Sequence, residues 1–329
     1  MLRILHDTNY DFIRWWKVMA ALTIAFILVG LGSLAIKPPN YSIEFTGGTL
    51  MQLEFTQPPD VGEIRATLDQ AGIQGAEIQQ FGTNREFTVR AQNREVVAAQ
   101  SQGAEGVAVR IEQVLKKRFG DSSVKVVRTE AVGPRVGQEL KRGAIIAILL
   151  SFLITLIYLS IRFEWRFAAA AVIATSHDVF TTIAFLKLMH LEISLTVVAG
   201  LLTVLGYSLN DTIIIFDRVR ENLRKGRKET LYETLNRSIN ETLPRSVLTH
   251  ATVLAATLSL LFFAGEVIRP FAWVMAFGII TGTFSSIYVA APVLLWIERK
   301  WPRRTGTRQS SSTAMPTSPT RRSPATATR

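Results

Sequence analysis

Residues 206–222 read GYSLNDTIIIFDRVREN, an apolar helical sequence with one acid before its charged end. That acid, Asp211, lies six residues before Asp217, where the charged end of the segment begins. At about 1.5 Å per residue, Asp211 is therefore about 9 Å inside the apolar segment. A charged side chain at the centre of a membrane helix costs about 2.5–3.5 kcal/mol, so acids in such positions mark functional sites. The stretch thus predicts a membrane helix that carries a functional acid.

Apolar blocks of membrane-spanning length recur along the 329-residue chain. A helix of about 20 apolar residues crosses the hydrocarbon core of a bilayer. Six blocks qualify, at residues 18–36, 143–161, 167–186, 193–216, 246–265 and 271–297. The segment 14–17 (RWWK) precedes the first block as an interfacial anchor, and we expect the first block to remain as an uncleaved signal-anchor. The sequence predicts a membrane α-helical bundle of six spans.

Basic residues are concentrated on one side of this predicted topology. The link 217–245 holds eight Lys or Arg, and the tail 302–329 holds six Arg and no acid. By contrast, the links 187–192 and 266–270 each hold one acid and one Lys or Arg. The positive-inside rule therefore predicts that both termini are cytoplasmic. The net charge of +11 favours contact with lipid headgroups over nucleic acid, and the tail 301–329, rich in Ser, Thr, Pro and Arg, is expected to be disordered.

The link after the first span, residues 37–138, is long enough to form a folded extracytoplasmic domain. Its patterns predict strands at 49–56, 77–81, 86–90 and 124–131, and helices at 60–70 and 104–119. This β-α-β-β-α-β order is the ferredoxin-like, α+β pattern. The domain contains no His and the whole chain no Cys. We therefore expect a protein-contact domain with no enzymatic chemistry, no metal site and no cofactor, between the first span (1–36) and the remaining membrane region (139–300).

Small and polar residues recur in the spans at intervals of three and four, which places each set on one helical face. The third span contains a second acid, Asp178, beside His177. The faces consist of Thr175, Asp178 and Thr182 in the third span; Gly200, Thr203, Tyr207, Asn210 and Asp211 in the fourth; Arg245, Thr249, Thr252, Ala256 and Ser259 in the fifth; and Gly278, Thr281, Gly282 and Ser285 in the sixth. Small residues allow helices to approach closely, and hydroxyl groups hydrogen-bond between them. The pattern predicts a bundle with a polar seam.

Two interpretations of the predicted seam are open. Arg245 begins the fifth span at a depth comparable to that of Asp211, so a guanidinium could neutralise the acid as a purely structural pair. Alternatively, the pair is a proton site, because burial favours the neutral carboxyl group and a nearby guanidinium favours the ionised one, so a small movement would load or release a proton. The same two interpretations apply to Asp178 and His177. His250 lies one position off the fifth-span face, where a hydrogen bond to a backbone carbonyl would account for it.

Several motifs resemble the SecF branch of the SecD/SecF family, within the RND superfamily. They are FTGGTLMQLEF (45–55), VGPRVGQELKRGAI (132–145), SHDV (176–179), GYSLNDTIIIFDRVREN (206–222) and NETLPRS (240–246). The resemblance covers about residues 8–300. Glu44 and Arg135 depart from it, because the family usually has Asp and a small hydroxyl residue there, and His250 is also unusual.

The resemblance implies a subunit of the bacterial plasma (inner) membrane that pairs with SecD and works with the SecYEG channel on translocating preproteins. It implies that the proton motive force drives movements of the extracytoplasmic domains. It also implies that Asp211 and Arg245 are the functional residues of this half. Independently, six spans with one large loop and one acid–base pair suggest half of a pseudo-twofold unit.

Two other functions remain open on the residues alone. A half-sized RND-like exporter of small molecules or lipids would share the buried acid, but it should have an apolar, aromatic-lined cleft in the outer domain. A purely structural assembly subunit would keep its function after neutralisation of Asp211. The sequence contains no nucleotide-binding loop and no nucleophile–base pair, so no enzymatic function is predicted.

Overall fold

The structure is a computed structural model, and it describes residues 8–91, 103–225, 229–265 and 267–302. Parts of the predicted outer domain and of the basic link, and nearly all of the predicted disordered tail, lie outside these residues. Within the described residues, six helices are long and apolar enough to cross a membrane. This agrees with the six spans predicted from the sequence.

The six spans are longer than the apolar blocks that predicted them. The first five are α1 (Trp16–Ile36), α5 (Pro134–Arg162), α6 (Trp165–Leu188), α7 (Leu195–Arg224) and α8 (Leu231–Phe263). The sixth consists of α9 (Arg269–Ser285), one π-helical turn (Ser286–Ala290) and α10 (Ala291–Lys300). The fourth and fifth spans extend into the basic link 217–245, and a capping box between Thr230 and Glu233 starts the fifth. This link is therefore mostly a helical hairpin.

Between the first two spans lies a small α+β domain, here called the sheet domain. It follows a short helix, α2 (Ile43–Thr46), and contains β1 (Gly48–Phe55), α3 (Val61–Gln70), β2 (Glu77–Gln80), β3 (Glu86–Ala91), α4 (Gly103–Phe119) and β4 (Val124–Val132). The four strands form an antiparallel sheet in the order β2-β3-β1-β4. Alternating residues of β1, among them Met51 and Leu53, pack against Ile64, Leu68 and Ile111 of the two helices.

Glycines fix the sheet domain to the second span. Gly47 has a φ of +74°, which favours glycine, and a Cβ there would lie 2.7 Å from Cα of Pro134. A Cβ on Gly137 would lie 3.0 Å from N of Gly47 and 3.2 Å from O of Phe45. The FTGG and VGPRVG motifs therefore meet in one close backbone contact, which orients the sheet domain on the bundle.

The third, fourth and sixth spans form the interior of the bundle, whereas the first, second and fifth are mostly exposed. Small residues of the sixth span allow this packing. A Cβ on Gly278 would lie 2.3 Å from Cγ2 of Val204, and one on Gly282 would lie 3.0 Å from Cβ of Ser208. The sixth-span face predicted from the sequence is thus the face that packs on the fourth span.

Candidate functional site

Asp178 joins three spans at the centre of the bundle. Its side chain is fully buried. Oδ2 accepts hydrogen bonds from Oγ of Ser208 in the fourth span (2.5 Å) and Oγ of Ser285 in the sixth (2.7 Å). Oδ1 lies 3.2 Å from Nδ1 of the adjacent His177. Both carboxyl oxygens therefore have partners, and the carboxyl group connects the third, fourth and sixth spans.

A second polar contact continues this cluster toward the π-helical turn. The hydroxyl groups of Thr212 and Ser286 lie 2.8 Å apart between the fourth and sixth spans. We call Asp178, Ser208, Thr212, Ser285 and Ser286 the inner cluster. Ser286 begins the π turn, which ends at Ala290, two residues before Pro292. Pro292 has no N–H to bond the carbonyl of Tyr288, four residues earlier. Such local widening of a helix is frequent at functional sites.

Asp211 has a different environment, between the fourth and fifth spans. The Asp211 side chain is buried, and Oδ1 accepts a hydrogen bond from Oγ of Ser246. Among the described residues, no group donates to Oδ2. Nδ1 of His250, one helical turn beyond Ser246, is also buried without a described partner, and His250 lies close enough to Asp211 for their charges to interact. A buried carboxyl oxygen and a buried imidazole nitrogen thus both have free hydrogen-bonding capacity in one place.

Tyr207 lies over this site. Its ring centroid is 5.2 Å from that of His250, and its hydroxyl group donates to the backbone oxygen of Thr249 at 3.0 Å. The side chain of Thr249 instead donates to the carbonyl of Arg245, within its own helix. Tyr207 therefore belongs to the site, whereas Thr249 contributes to it through its backbone.

The structure does not bring Arg245 and Asp211 together. Arg245 is exposed, and no ion pair joins it to any described acid. Its neighbour Ser246 contacts Asp211 instead, and consecutive residues of a helix point about 100° apart. Once Ser246 faces the acid, Arg245 must point away from it. The predicted ion pair is thus absent here.

Arg245 lines a charged cavity of about 520 Å³ between the spans. The cavity is also lined by Asp217 and Arg218 at the end of the fourth span and by Glu241 in the fifth. Ile214, one helical turn beyond Asp211, lies in its wall. The cavity therefore approaches Asp211 to within about one turn of the fourth span, from the basic end of the bundle.

The polar face predicted for the fifth span points outward rather than into the bundle. Thr252, Ala256 and Ser259 are exposed, as are Thr203 and Asn210 of the fourth span. The buried face of the fifth span carries Ser246, His250 and Thr257 instead. The predicted residues do share one helical face, as the periodicity indicated. A second polar face lies about 100° away, and that second face, which does not contain the arginine, is the buried one.

Sequence reasoning missed four polar residues that carry the geometry: Ser208, Thr212, Ser246 and Ser286. Ser and Thr are common in membrane helices because they can bond to their own helix backbone, so their presence is a weak signal. The spacing of four residues between Ser246 and His250 could have indicated the buried face of the fifth span. It places a hydroxyl group and an imidazole on one helical face, next to the predicted polar face.

Comparison with known proteins identifies the family. Residues 111–300 match the family model described as "Protein export membrane protein SecD/SecF, C-terminal", and residues 32–59 match the SecD/SecF GG motif. A protein translocase subunit SecF from Gemmatimonas aurantiaca is 63% identical over 92% of this chain and 91% of its own length. A protein translocase subunit SecF from Vibrio alginolyticus is 42% identical over 88% of this chain and 90% of its own length.

Solved structures agree with this assignment. The crystal structure of SecDF, a translocon-associated membrane protein from Thermus thermophilus, superposes with a TM-score of 0.79 at 34% identity over 91% of this chain. A crystal structure of SecDF in a super-membrane-facing form superposes with a TM-score of 0.65 at 36% identity over 90% of this chain. The chain spans 40% of the length of each of these SecDF chains.

The fold and the site define a multi-pass membrane protein with acids buried between its spans. The chain belongs to the SecD/SecF family of protein-export membrane proteins. Its role is therefore in protein export across a membrane.

Proposed function

We propose that the chain is the SecF half of a SecD–SecF complex in the bacterial plasma membrane. In this proposal it uses the proton motive force to promote preprotein export through SecYEG, without enzymatic chemistry of its own. The observation that carries the proposal is Asp211, a buried membrane acid with one oxygen that no described group satisfies, next to a similarly unsatisfied His250.

Asp211 is suited to exchange a proton rather than to hold helices together. Oδ2 is free to carry a proton, and Oδ1 stays fixed by Ser246 in either charge state. The charged cavity brings water to within about one helical turn of it. Arg245 lies in the cavity wall, one residue after Pro244, which interrupts the backbone bonding of the fifth span. Bending there would move the guanidinium relative to the acid, so Arg245 acts as a gate in a proton path that also includes Tyr207 and Asn210.

The outward polar face supports a partner of the same plan. Thr203, Gly206 and Asn210 of the fourth span and Thr252 and Ser259 of the fifth are exposed within membrane-spanning segments. Polar groups facing lipid are unfavourable, and small polar residues are typical of helix–helix interfaces. A second six-span half, related to this chain by a pseudo-twofold axis, would cover this face. We propose that SecD is that second half.

The sheet domain is coupled to the span that carries Asp211. Oε2 of Glu44, just before β1, accepts a hydrogen bond from the backbone N of Leu195 at 2.6 Å, at the start of the fourth span. Arg90 of β3 forms an ion pair of 2.6 Å with Glu192, in the link between the third and fourth spans. A change in the tilt of the fourth span would therefore move the sheet domain, for which we infer a ferredoxin-like fold from the strand order β2-β3-β1-β4.

Reversing the Arg90–Glu192 ion pair should distinguish loss of coupling between the sheet domain and the fourth span from misfolding of the sheet domain. Hydrogen bonds to charged groups contribute about 1.5–3 kcal/mol, so Arg90→Glu should strongly reduce gradient-dependent export. The double variant Arg90→Glu/Glu192→Arg should recover part of it, because the new glutamate at position 90 would still face Glu77, the second partner of Arg90 at 3.4 Å. Burial raises the pKa of the Glu192 carboxyl group despite the nearby Arg90, so the pair should also weaken when the side facing the sheet domain becomes acidic.

The matched control is Arg128→Glu, which reverses an arginine of the same sheet that pairs with Glu130 inside the domain. Export should be measured at equal membrane abundance for all four proteins. Equal loss in Arg90→Glu and Arg128→Glu, with no recovery in the double variant, would assign the effect to the sheet domain itself and exclude the coupling.

The proposed function is tested in inverted plasma-membrane vesicles that contain this chain as their SecF subunit. Preprotein translocation should rise with the proton gradient, and a protonophore should remove that increase while ATP-driven translocation continues. The proposed orientation, with both termini cytoplasmic, predicts that protease added to such vesicles cuts near Lys225 and spares the sheet domain. Translocation that is insensitive to the protonophore would exclude gradient coupling.

A further inference from the structure

A groove of about 360 Å³ lies between the first and sixth spans, away from the Asp211 site. Its walls are mainly apolar and aromatic, including Trp16 and Ile24 of the first span and Tyr288, Val293 and Trp296 of the sixth. His177 lies in the wall as well, so the groove extends from the basic ends of these spans toward the middle of the third span.

A second cavity of about 310 Å³ adjoins the groove at its basic end. The two share Tyr232, Leu295 and Arg299. The second is also lined by Glu298 and, outside the spans, by Thr230 and Pro302. An apolar compartment within the membrane region thus continues into a polar compartment at the membrane surface, and Arg299 lies where they meet.

Arg299 is exposed and forms no ion pair with a described acid. The preceding Glu298 is buried, and its carboxyl group faces Arg166, with Nε and Oε1 4.0 Å apart. No Asp or Glu follows Glu298 in the sequence. Lys300 lines neither compartment, and its Nζ lies 4.9 Å from the ring centroid of Trp301 and 5.3 Å from that of the groove residue Trp296. The polar compartment therefore offers an available guanidinium to an anion.

We propose that this groove binds a phospholipid with an anionic headgroup, whose acyl chain occupies the apolar compartment and whose phosphate contacts Arg299. An apolar compartment that continues into a polar compartment with a guanidinium matches the two parts of an anionic phospholipid, the acyl chain and the phosphate. Tryptophans beside a basic residue are typical of the membrane–water interface. This inference rests on the proposed orientation, in which the basic ends of the spans are cytoplasmic, because basic pockets between spans on that side are suited to anionic lipid headgroups.

The test measures lipid binding to the delipidated full-length chain by native mass spectrometry. Phosphatidylglycerol and phosphatidylcholine with identical acyl chains are the probes. The parent should retain phosphatidylglycerol preferentially, and Arg299→Gln should weaken that binding about fivefold, the effect of removing one cation near an anionic lipid. Binding of phosphatidylcholine should not change. Ala20→Phe, which fills the apolar compartment, should weaken binding of both lipids.

Lys300→Gln is the matched control, because it removes the same charge one residue away and should keep the preference. The arginines after Pro302 also attract anionic lipid, so a chain that ends at Pro302 is measured in parallel and should keep the preference as well. A photoreactive residue at Ile24 in native membranes should cross-link to lipid. Equal binding of the two lipids by the parent, equal losses in Arg299→Gln and Lys300→Gln, or a cross-link from residue 24 to a polypeptide would each overturn the proposal.

Discussion

Asp211→Asn should abolish the gradient-dependent part of preprotein export while the protein inserts and assembles normally. The amide has the size and polarity of the carboxyl group, and its oxygen can still accept the hydrogen bond from Ser246, but it cannot release a proton. One charge moving through 100 mV provides about 2.3 kcal/mol, which corresponds to about a 50-fold shift in a two-state equilibrium. Loss of that proton should therefore remove nearly all gradient stimulation.

The measurement is the ratio of translocation rates in inverted vesicles with and without a protonophore, at equal abundance of each variant. The ratio should fall to about one for Asp211→Asn. Asp69→Asn makes the same substitution at an exposed position of the sheet domain, away from the charged cavity, and it should stay near the parental ratio. Ser246→Ala removes the hydrogen bond to Oδ1 but leaves an ionisable acid, so it should lower the ratio only in part.

Arg245→Met tests whether the guanidinium acts on the proton path without forming an ion pair with Asp211. In the structure Arg245 lines the charged cavity and does not pair with Asp211. If it gates the path, its loss should reduce the ratio without affecting assembly, and a lysine at position 245 should restore part of it. Parental export by Asp211→Asn would contradict the proton-site proposal and favour a structural role for the buried acid.

The sequence was sufficient for the six spans and for the strands and two long helices of the sheet domain, in their order, but not for α2, the π turn or the helices that extend into the link 217–245. Membrane spans are predicted from length and apolarity. In lipid, an apolar block of about 20 residues must satisfy its backbone hydrogen bonds internally, which an α-helix does. In the sheet domain, alternation in β1 and the N-cap Asp60, which accepts from N of Gly62 at 2.9 Å, gave the strand and the helix start. These signals are local, so one sequence contains them in full.

The side of the fifth span that faces the bundle was not available from the sequence. Arg245, Thr249 and Thr252 form one polar face, and Ser246, His250 and Thr257 form another, about 100° away. From the sequence, we assigned the first face to the interior, because a lipid-facing polar face is unfavourable. An exposed polar face is acceptable when a partner covers it, and the sequence does not show which face that partner would cover.

The sequence neighbours of Asp178 and Asp211 also could not show which of the two acids has a free carboxyl oxygen. Asp178 gains its partners from Ser208, 30 residues away, and Ser285, 107 residues away. Such contacts depend on how the fourth and sixth spans pack, and that packing depends on Gly278 and Gly282. The two acids therefore differ in their hydrogen bonding. Among the described residues, Asp178 has partners on both carboxyl oxygens, whereas Asp211 has no partner on Oδ2.

Asp178→Ala should destabilise the bundle, whereas Asp178→Asn should be tolerated. Alanine leaves the hydroxyl groups of Ser208 and Ser285 without their shared acceptor and opens a cavity between three spans. Side-chain hydrogen bonds in membrane proteins contribute about 0.6 kcal/mol on average, so loss of three contacts costs about 2 kcal/mol before the cavity is counted. Asparagine can place its oxygen at the two serines and its NH₂ group at Nδ1 of His177, so it preserves the contacts.

The two substitutions separate a structural acid from a second proton site. Thermal unfolding of the purified chain and the protonophore ratio should be measured for both. Thr182→Val is the control, since the Thr182 hydroxyl group donates to the carbonyl of Asp178 in its own helix and, among the described residues, to no other group. We expect Asp178→Ala to unfold at a lower temperature and Asp178→Asn to match the parent in both measurements. If Asp178→Asn is as stable as the parent but loses gradient stimulation, then Asp178 exchanges protons too, and His177 at the edge of the groove becomes the candidate for its proton donor.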